Sequence, residues 1–136
     1  MELKDLSTLL APHSPGYLAT VDENGKPDVR GFEWQGVIDN KLVLITSDKK
    51  NVFKQIQNNG NIAYFAQGQN GTFIRVYAKA THSTDAALVQ KVWDNCNDNV
   101  KQFYPTPKDN GFAVLHLTDG HITVAAWGQE TKEIKF

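Results

Sequence analysis

The dipeptide Asn24–Gly25 constrains the fold of this sequence most strongly. It separates two segments, residues 16–22 and 27–34, that are rich in β-forming side chains. An Asn-Gly pair favours a two-residue type I′ turn, because both central residues of that turn need positive φ. The pattern therefore predicts a β-hairpin with Asp22 opposite Pro27 and Ala19 opposite Arg30.

Similar signals recur along the chain and predict an antiparallel protein. Asp39–Asn40 marks a second hairpin turn and Asp119–Gly120 a last one. The clearest strand covers residues 72–81, where apolar residues alternate with Phe73, Arg75, Tyr77 and Lys79. The remaining expected elements are a short N-terminal helix, strands 41–46, 61–67, 112–117 and 121–127, and helices from about 47 to 58, from 85 to 95 and near 100 to 104.

About seven strands in 136 residues, joined by hairpins, favour a mainly β fold with inserted helices. A chain of this length suits one core, so we expect a single domain over residues 1–136 and a sheet that closes into a barrel. Residues 41–46 are apolar without interruption in the middle, which predicts a strand covered on both faces.

Composition narrows the classes of function. The net charge of −1 gives no basic excess to neutralise a phosphate backbone, so we expect no nucleic-acid partner. The N-terminal residues mix charges with leucines and predict neither a signal peptide nor a membrane span. Cys96, the single cysteine, excludes an internal disulfide and favours a reducing compartment. We therefore expect a cytoplasmic protein without a membrane partner.

Residues 46–51 carry the most informative polar pattern. They lie where a buried strand is expected to give way to a helix capped by Ser47 or Asp48. The first N–H groups of a helix are unpaired and bind anions, and Thr46, Ser47 and Lys50 add hydroxyl and ammonium groups. The segment fits a phosphate site, but also an ordinary helix cap followed by solvated lysines. Asp48 opposes a phosphate unless it points away.

Arg30 and Gly31 form a second candidate. A glycine within a strand lets a ligand approach the backbone, and the neighbouring arginine offers a planar fork of donors. With Phe32 and Trp34 expected on the face of Arg30, the strand fits a planar ligand with polar edges. The alternative is a β-bulge beside an exposed arginine.

Two further features leave several interpretations open. The Phe73–Arg75–Tyr77–Lys79 face suits a subunit interface, stacked nucleotides or plain solvent exposure. His116 and His121 are expected on one face of the last hairpin, but no third ligand is evident, so we predict no metal site.

In order, these segments resemble the pyridoxamine 5′-phosphate oxidase-like FMN-binding split barrels, in particular the short bacterial members. The matching stretches are LATVDENGKPDVRGF (18–32), KLVLITSDKKNVFKQIQNNGNIAYF (41–65), FIRVYAKAT (73–81) and DGHITVAAWGQETKEIKF (119–136). The resemblance implies a homodimer with two FMN sites at the subunit interface. It also favours the phosphate interpretation of residues 46–51.

The resemblance also implies which residues bind the flavin. Arg30 matches the arginine of the second strand beside the ring, and Gly31 stands where many relatives carry proline. In the turn, Thr46 and Ser47 match the hydroxyl pair, Lys50 matches the lysine that meets the phosphate, and Asn51 follows it. Trp127 matches an aromatic position in the last strand region.

One departure limits the function that this resemblance implies. True pyridoxamine phosphate oxidases grip the substrate phosphate with an arginine-rich end, whereas this chain ends in GQETKEIKF and has only Arg30 and Arg75. We therefore expect an FMN-dependent oxidoreductase of another substrate, with a small-molecule electron donor or acceptor and no assigned catalytic residue. The alternatives are a non-catalytic flavin-binding or electron-transfer module, and a barrel that holds haem or a deazaflavin.

Overall fold

The computed structural model describes residues 1–136. A 3₁₀ helix, Leu3–Thr8, begins the chain, and a second one, Gln69–Gly71, connects the fifth strand to the sixth. The strands are β1 (Gly16–Val21), β2 (Pro27–Gly31), β3 (Val37–Ile38), β4 (Lys41–Ser47), β5 (Asn61–Gln67), β6 (Thr72–Ser83), β7 (Phe112–Ala126) and β8 (Lys132–Lys135). The helices are α1 (Asn51–Asn58), α2 (Ala86–Asn95) and α3 (Asp98–Phe103). None of the helices is long and apolar enough to span a membrane.

All eight strands belong to one antiparallel sheet, in the order β2-β1-β5-β6-β7-β4-β3, with β8 paired to β7. Six of these strands, from β1 to β8, send side chains into one core of 22 buried residues. A sheet can enclose a single core in this way only by curling around it, so the fold is a barrel. The expected mainly β, antiparallel architecture is confirmed, with eight strands where about seven were predicted.

A second, smaller core lies on the outer side of β4 and β7. There α2 and α3 cover Val43, Val114 and Phe112, with Leu88, Val92, Cys96 and Tyr104 packed among them. Strand β4 is therefore buried on both faces, as its apolar sequence predicted. Burial raises the pKa of the Cys96 thiol to about 11, which keeps it protonated and suits a structural role.

The first hairpin forms, but its register differs from the prediction by one residue. Val21 pairs with Pro27 and Leu18 with Arg30, and only Gly25 of the turn has positive φ, at 78°. Asp22 sets this longer loop, because its Oδ1 accepts hydrogen bonds of 2.8 Å from the backbone N–H groups of Asn24 and Lys26. Residues opposite each other in a sheet share a face, so Arg30 lies on the inner face with Leu18. The two-residue type I′ geometry occurs instead at Asp39–Asn40, where both φ values are positive.

Asp119–Gly120 does not form the predicted hairpin. β7 runs through it as one 15-residue strand, and the register with β6 shifts between Tyr77/His121 and Lys79/Thr118, as at a β-bulge. Asp119 has φ of 53°, and a Cβ on Gly120 would collide with the backbone of β6, so the same residue types that permit a turn serve a bulge. His116 and His121 thus lie on either side of a bend, and no three metal-ligating side chains cluster in the structure.

Candidate functional site

The junction of β4 and α1, from the end of the strand to the first residue of the helix, holds Thr46, Ser47, Lys50 and Asn51 within six consecutive residues. The predicted cap at Ser47 or Asp48 is wrong, because α1 begins only at Asn51 and Lys50 takes the capping position. No side chain caps the helix. The Phe53 N–H donates to the Lys50 carbonyl at 3.1 Å, so the N–H groups of Asn51 and Val52 are the ones left available at the positive end of the helix dipole.

Thr46 and Ser47 point to opposite sides of β4 and differ in how well they are satisfied. Ser47 Oγ donates a 2.8 Å hydrogen bond to the Asn110 carbonyl and accepts one from the Lys49 N–H at 3.2 Å. Thr46 is only 4% exposed, and its buried Oγ1 has no partner within the protein. A buried hydroxyl without a partner costs about 1–3 kcal/mol, so it is a group that a ligand can stabilise.

Lys50 and Asn51 are exposed at the start of α1, and Lys50 forms no ion pair. Asp48 packs against Gly111: its N–H donates to the Gly111 carbonyl at 2.8 Å, and its carboxylate lies where a Cβ on Gly111 would lie. An ammonium without an ion pair, a helix end without a side-chain cap and an unpaired hydroxyl thus lie within a few consecutive residues. These features fit the phosphate end of a nucleotide cofactor.

A recess of about 330 Å³ adjoins Lys50 and extends along α3, where Val100, Phe103 and Tyr104 line it. Glu33 supplies its carboxylate, which lies 2.8 Å from Nδ1 of His13 and accepts a 2.9 Å hydrogen bond from the Asn97 amide. Burial raises the pKa of Tyr104 and keeps its phenol protonated. The recess therefore combines an apolar wall with fixed polar groups, as binding pockets do.

The Arg30 side chain is partly buried, and its guanidinium is hydrogen-bonded within the protein. Nη1 donates to Thr20 Oγ1 at 2.7 Å and to the Leu18 carbonyl at 3.2 Å, while Nη2 donates to Asp28 at 2.9 Å and to Gln55 Oε1 at 3.1 Å. The alternative of an exposed arginine beside a bulge is wrong, because the register of β1 and β2 is regular through Gly31. Arg30 instead links the first hairpin to α1.

Gln55 is a site residue that the sequence analysis missed. It is 7% exposed, accepts a 2.5 Å hydrogen bond from Thr20 and donates to Asp28 at 3.3 Å. With Arg30, it lowers the pKa of Asp28 below the usual 3.8. The only sequence signal was a polar residue between Phe53 and Ile56 on the apolar side of the helix.

The planar platform expected at residues 30–34 is not open. Trp34 is 2% exposed in the core, beside Tyr64 with ring centroids 5.9 Å apart, and Phe32 packs against the same core. Gly31 itself is exposed, and a Cβ placed there would have its nearest neighbour, the Gly16 carbonyl, 4.0 Å away. Space for a ligand exists at Gly31, but the flanking side chains do not form a stacking surface.

Trp127 lies far from the turn within one chain. Thr46 pairs with Ala113 near the start of β7, whereas Trp127 follows the last residue of that strand. Its side chain is 86% exposed. The outer face of the neighbouring strands is also apolar: Tyr17, Val29 and Tyr77 are 54%, 65% and 42% exposed around a shallow cavity that Phe65 and Arg75 complete.

The chain belongs to the pyridoxamine 5′-phosphate oxidase family, since the profile of that family matches residues 3–123. A comparison with curated proteins finds no match. The family assignment agrees with the resemblance of the sequence, and the barrel is the FMN-binding split-barrel fold of its relatives.

Solved structures repeat this fold over nearly the whole chain. A NimC/NimA family protein from Clostridium acetobutylicum is 24% identical with a TM-score of 0.81, and the match covers 96% of this chain and 92% of that one. A pyridoxamine 5′-phosphate oxidase-related, FMN-binding protein from Nostoc punctiforme is 20% identical, with 88% and 84% covered and a TM-score of 0.66. A heme-binding protein from Mycobacterium smegmatis is 16% identical, with 90% and 53% covered and a TM-score of 0.69. Relatives with this fold thus hold different cofactors.

Proposed function

We propose that this protein binds FMN at the turn between β4 and α1 and acts as an FMN-dependent oxidoreductase on a small molecule other than pyridoxamine phosphate. One observation carries the proposal: the buried, unpartnered hydroxyl of Thr46 lies in the same turn as the free ammonium of Lys50 and the uncapped end of α1. A flavin phosphate supplies the acceptors and the charge that these groups lack.

Each residue of the turn has a separate part in this proposal. Lys50 and the first N–H groups of α1 bind the phosphate, and Asn51 adds its side-chain amide. Thr46 donates its hydroxyl to the cofactor, while Ser47 holds the turn against Asn110. Arg30 acts through Gln55, which positions α1, and Gly31 leaves the backbone open beside the ring. When bound, the isoalloxazine supplies the hydride or electron transfer.

We further propose a homodimer built on the exposed apolar face of β1, β2, β5 and β6. Tyr17, Val29 and Tyr77 are large apolar side chains exposed side by side there, and Arg75 adds a residue type that is enriched at interfaces. Trp127 would then serve the cofactor site of the partner protomer rather than its own. Light scattering at micromolar concentration tests this, and a flavin-loaded monomer contradicts it.

The same recess also favours a second candidate, a flavin carrier or electron-transfer module. Its only carboxylate, Glu33, is held by His13 and Asn97, and the Tyr104 phenol has a raised pKa. The wall contains no histidine or cysteine, and its one phenol stays protonated. Such a recess suits electron transfer without a dedicated acid or base.

The visible spectrum of the freshly purified protein, followed by titration of FMN, tests the cofactor. A flavin spectrum and saturable FMN binding support both candidates, and a Soret band points to haem, as in the mycobacterial relative. If FMN in excess does not bind, both candidates are wrong. Anaerobic reduction by a reduced nicotinamide, then reoxidation by small acceptors, separates the two: turnover supports the oxidoreductase, and a bound flavin that no acceptor reoxidises supports the carrier.

A further inference from the structure

A second cavity, of about 540 Å³, lies at the opposite end of β4 from Thr46. Residues 34–38, between β2 and β4, form one wall, and the N-terminal 3₁₀ helix contributes Lys4 and Ser7. Asn40, in the turn before β4, and Asn95, at the end of α2, complete the rim. The volume falls in the range of small-molecule sites. Neither the family assignment nor the proposed FMN site involves this cavity.

Gln35 contributes a buried side-chain amide with unused hydrogen-bonding capacity to the lining of the cavity. The residue is only 4% exposed, and its Oε1 has no hydrogen-bond partner. Its Nε2 makes one long contact, 3.5 Å from the Glu33 carbonyl, so both ends of the carboxamide are poorly satisfied. Buried amides are usually paired, because an unpaired one is costly. The terminal torsion of glutamine is broad, so rotation about it can turn the amide toward the cavity.

The rest of the wall restricts what can bind there. Trp34, Leu10 and Val37 make one side of the cavity apolar. Lys4 lies at the rim with its ammonium 76% exposed and only a 3.4 Å contact with Glu2. No carboxylate lines the cavity itself, so an anionic group beside Lys4 competes only with the exposed Glu2.

We propose that this cavity binds a small planar heterocycle with a lactam or imide edge and an anionic substituent. The ring N–H of such an edge donates to Gln35 Oε1, and its carbonyl accepts from Nε2, so one amide reads both groups. The anionic substituent lies beside Lys4. Uracil-type rings that carry a carboxylate have this combination of groups.

The test uses orotate, uracil and 1,3-dimethyluracil with the full-length purified protein, followed by heteronuclear NMR of the Trp34 indole and the Gly36 amide. We expect orotate to bind most tightly, uracil less tightly because it lacks the charge, and dimethyluracil not at all, since it has no N–H donor. Gln35→Met preserves the size of the side chain and removes the amide, and we expect it to weaken orotate by about tenfold, the value of one to two hydrogen bonds. Gln57→Met, on the exposed face of α1, is the matched control and should change nothing.

Several outcomes overturn the proposal. One is the failure of all three probes to shift these signals at millimolar concentration, and another is equal binding of uracil and dimethyluracil. The second comparison uses the native chain, so it decides the matter even if Gln35→Met does not fold. A third is displacement of orotate by riboflavin, which would make the cavity part of the flavin site. Failure to bind FMN at Lys50 leaves this test unaffected, so the two proposals fail separately.

Discussion

The Arg30 network and the Thr46–Lys50 turn flank the same helix, α1, but they differ in hydrogen bonding. The polar groups of the network are paired within the protein, whereas some of those in the turn are not. Arg30 makes four hydrogen bonds to Thr20, Leu18, Asp28 and Gln55. In the turn, by contrast, a buried hydroxyl has no partner and the lysine has no counter-ion. The family resemblance assigns both regions to the flavin, but their hydrogen bonding separates them.

This difference shows how to distinguish a positioning residue from a ligand-binding one. In a network whose hydrogen bonds are all formed, few donors or acceptors remain for a ligand. Removing one member leaves the others buried without a hydrogen-bond partner, which is unfavourable. An unsaturated group costs stability in the empty protein and regains it when a ligand arrives. Substitutions in the first region should therefore act on folding, and substitutions in the second should act on binding.

Arg30→Leu should have the largest effect, and on stability. It removes the donors that satisfy Thr20, Gln55 and Asp28, so we expect the free energy of unfolding to fall by roughly 3 kcal/mol, as for the loss of charged hydrogen bonds that are partly buried. Lys108→Leu, at an exposed lysine outside any ion pair, is the control and should change it by less than about 0.5 kcal/mol. Urea denaturation measures both. If the two variants are equally stable and only Arg30→Leu loses FMN, then Arg30 is a direct ligand and the distinction between the regions is lost.

Lys50→Ala should act on binding alone. It removes one charge-assisted contact to the phosphate, worth roughly 1.5–3 kcal/mol, so FMN affinity should fall on the order of tenfold to a hundredfold. Riboflavin lacks the phosphate, so its affinity should barely change. Both affinities can be measured by fluorescence titration of the flavin, with unfolding followed in parallel.

The control for Lys50 is Lys54→Ala, one turn further along α1 on the same polar face. We expect a smaller loss there, because the effect of the helix end fades within the first turn. Both variants should keep the stability of the native chain, since Val52, Phe53 and Ile56 remain buried. Equal losses of FMN and riboflavin in Lys50→Ala would show that Lys50 does not bind the phosphate.

Thr46→Val and Ser47→Ala compare an unpaired hydroxyl with a hydrogen-bonded one at two adjacent residues. Valine keeps the shape of Thr46 and removes its unpaired hydroxyl, so stability should hold or rise by up to about 1 kcal/mol, while FMN affinity falls roughly fivefold. Ser47→Ala breaks the bond to Asn110 and should lower stability by about 1 kcal/mol. Thermal unfolding with and without FMN measures both effects. A loss of stability in Thr46→Val would mean that its hydroxyl is satisfied within the protein.

The sequence predicted the sheet better than the details of its turns. Alternation in β6 and the apolar run in β4 were confirmed, because burial on one or both faces leaves a direct pattern in the residues. The two-residue turn predicted at Asn24–Gly25 and the hairpin predicted at Asp119–Gly120 were wrong, because residues that adopt positive φ also occur in longer loops and in bulges. At Asn24–Gly25 the Asp22 side chain selects the longer loop, and at Asp119–Gly120 close packing against β6 selects the bulge.

The candidate site was predictable as a segment but not as an arrangement of side chains. The junction between β4 and α1 was predicted in the right place, because a buried strand that ends in polar residues before a helix is visible in sequence. That residues 46–51 bind the flavin stays a prediction. The hydrogen-bond partners of Arg30 were not predicted, since they depend on a register shift of one residue and on Gln55, which the sequence did not single out. The lone hydroxyl of Thr46 could not be foreseen, because hydrogen-bond satisfaction is a property of the folded surroundings.

The smallest expected effect is the pH dependence of stability that the Asp28 carboxylate gives to the Arg30 network. Gln55 and Arg30 lower the pKa of Asp28 below its value in the unfolded chain, so the folded state favours the charged carboxylate. The stability that this provides is present above about pH 3.8 and is lost as the pH falls through the lower, folded pKa. We expect the native chain and Asp28→Asn to differ by a constant amount from pH 8 to about pH 5, and the difference to shrink below that as the native carboxylate is protonated. Urea denaturation across this range measures it, and repeating it in Arg30→Leu should weaken the pH dependence, because the guanidinium no longer favours the charged form. A difference that persists unchanged to pH 2 would mean that the Asp28 charge contributes nothing to the network, which then depends on the Arg30 contacts with Thr20 and Gln55 alone.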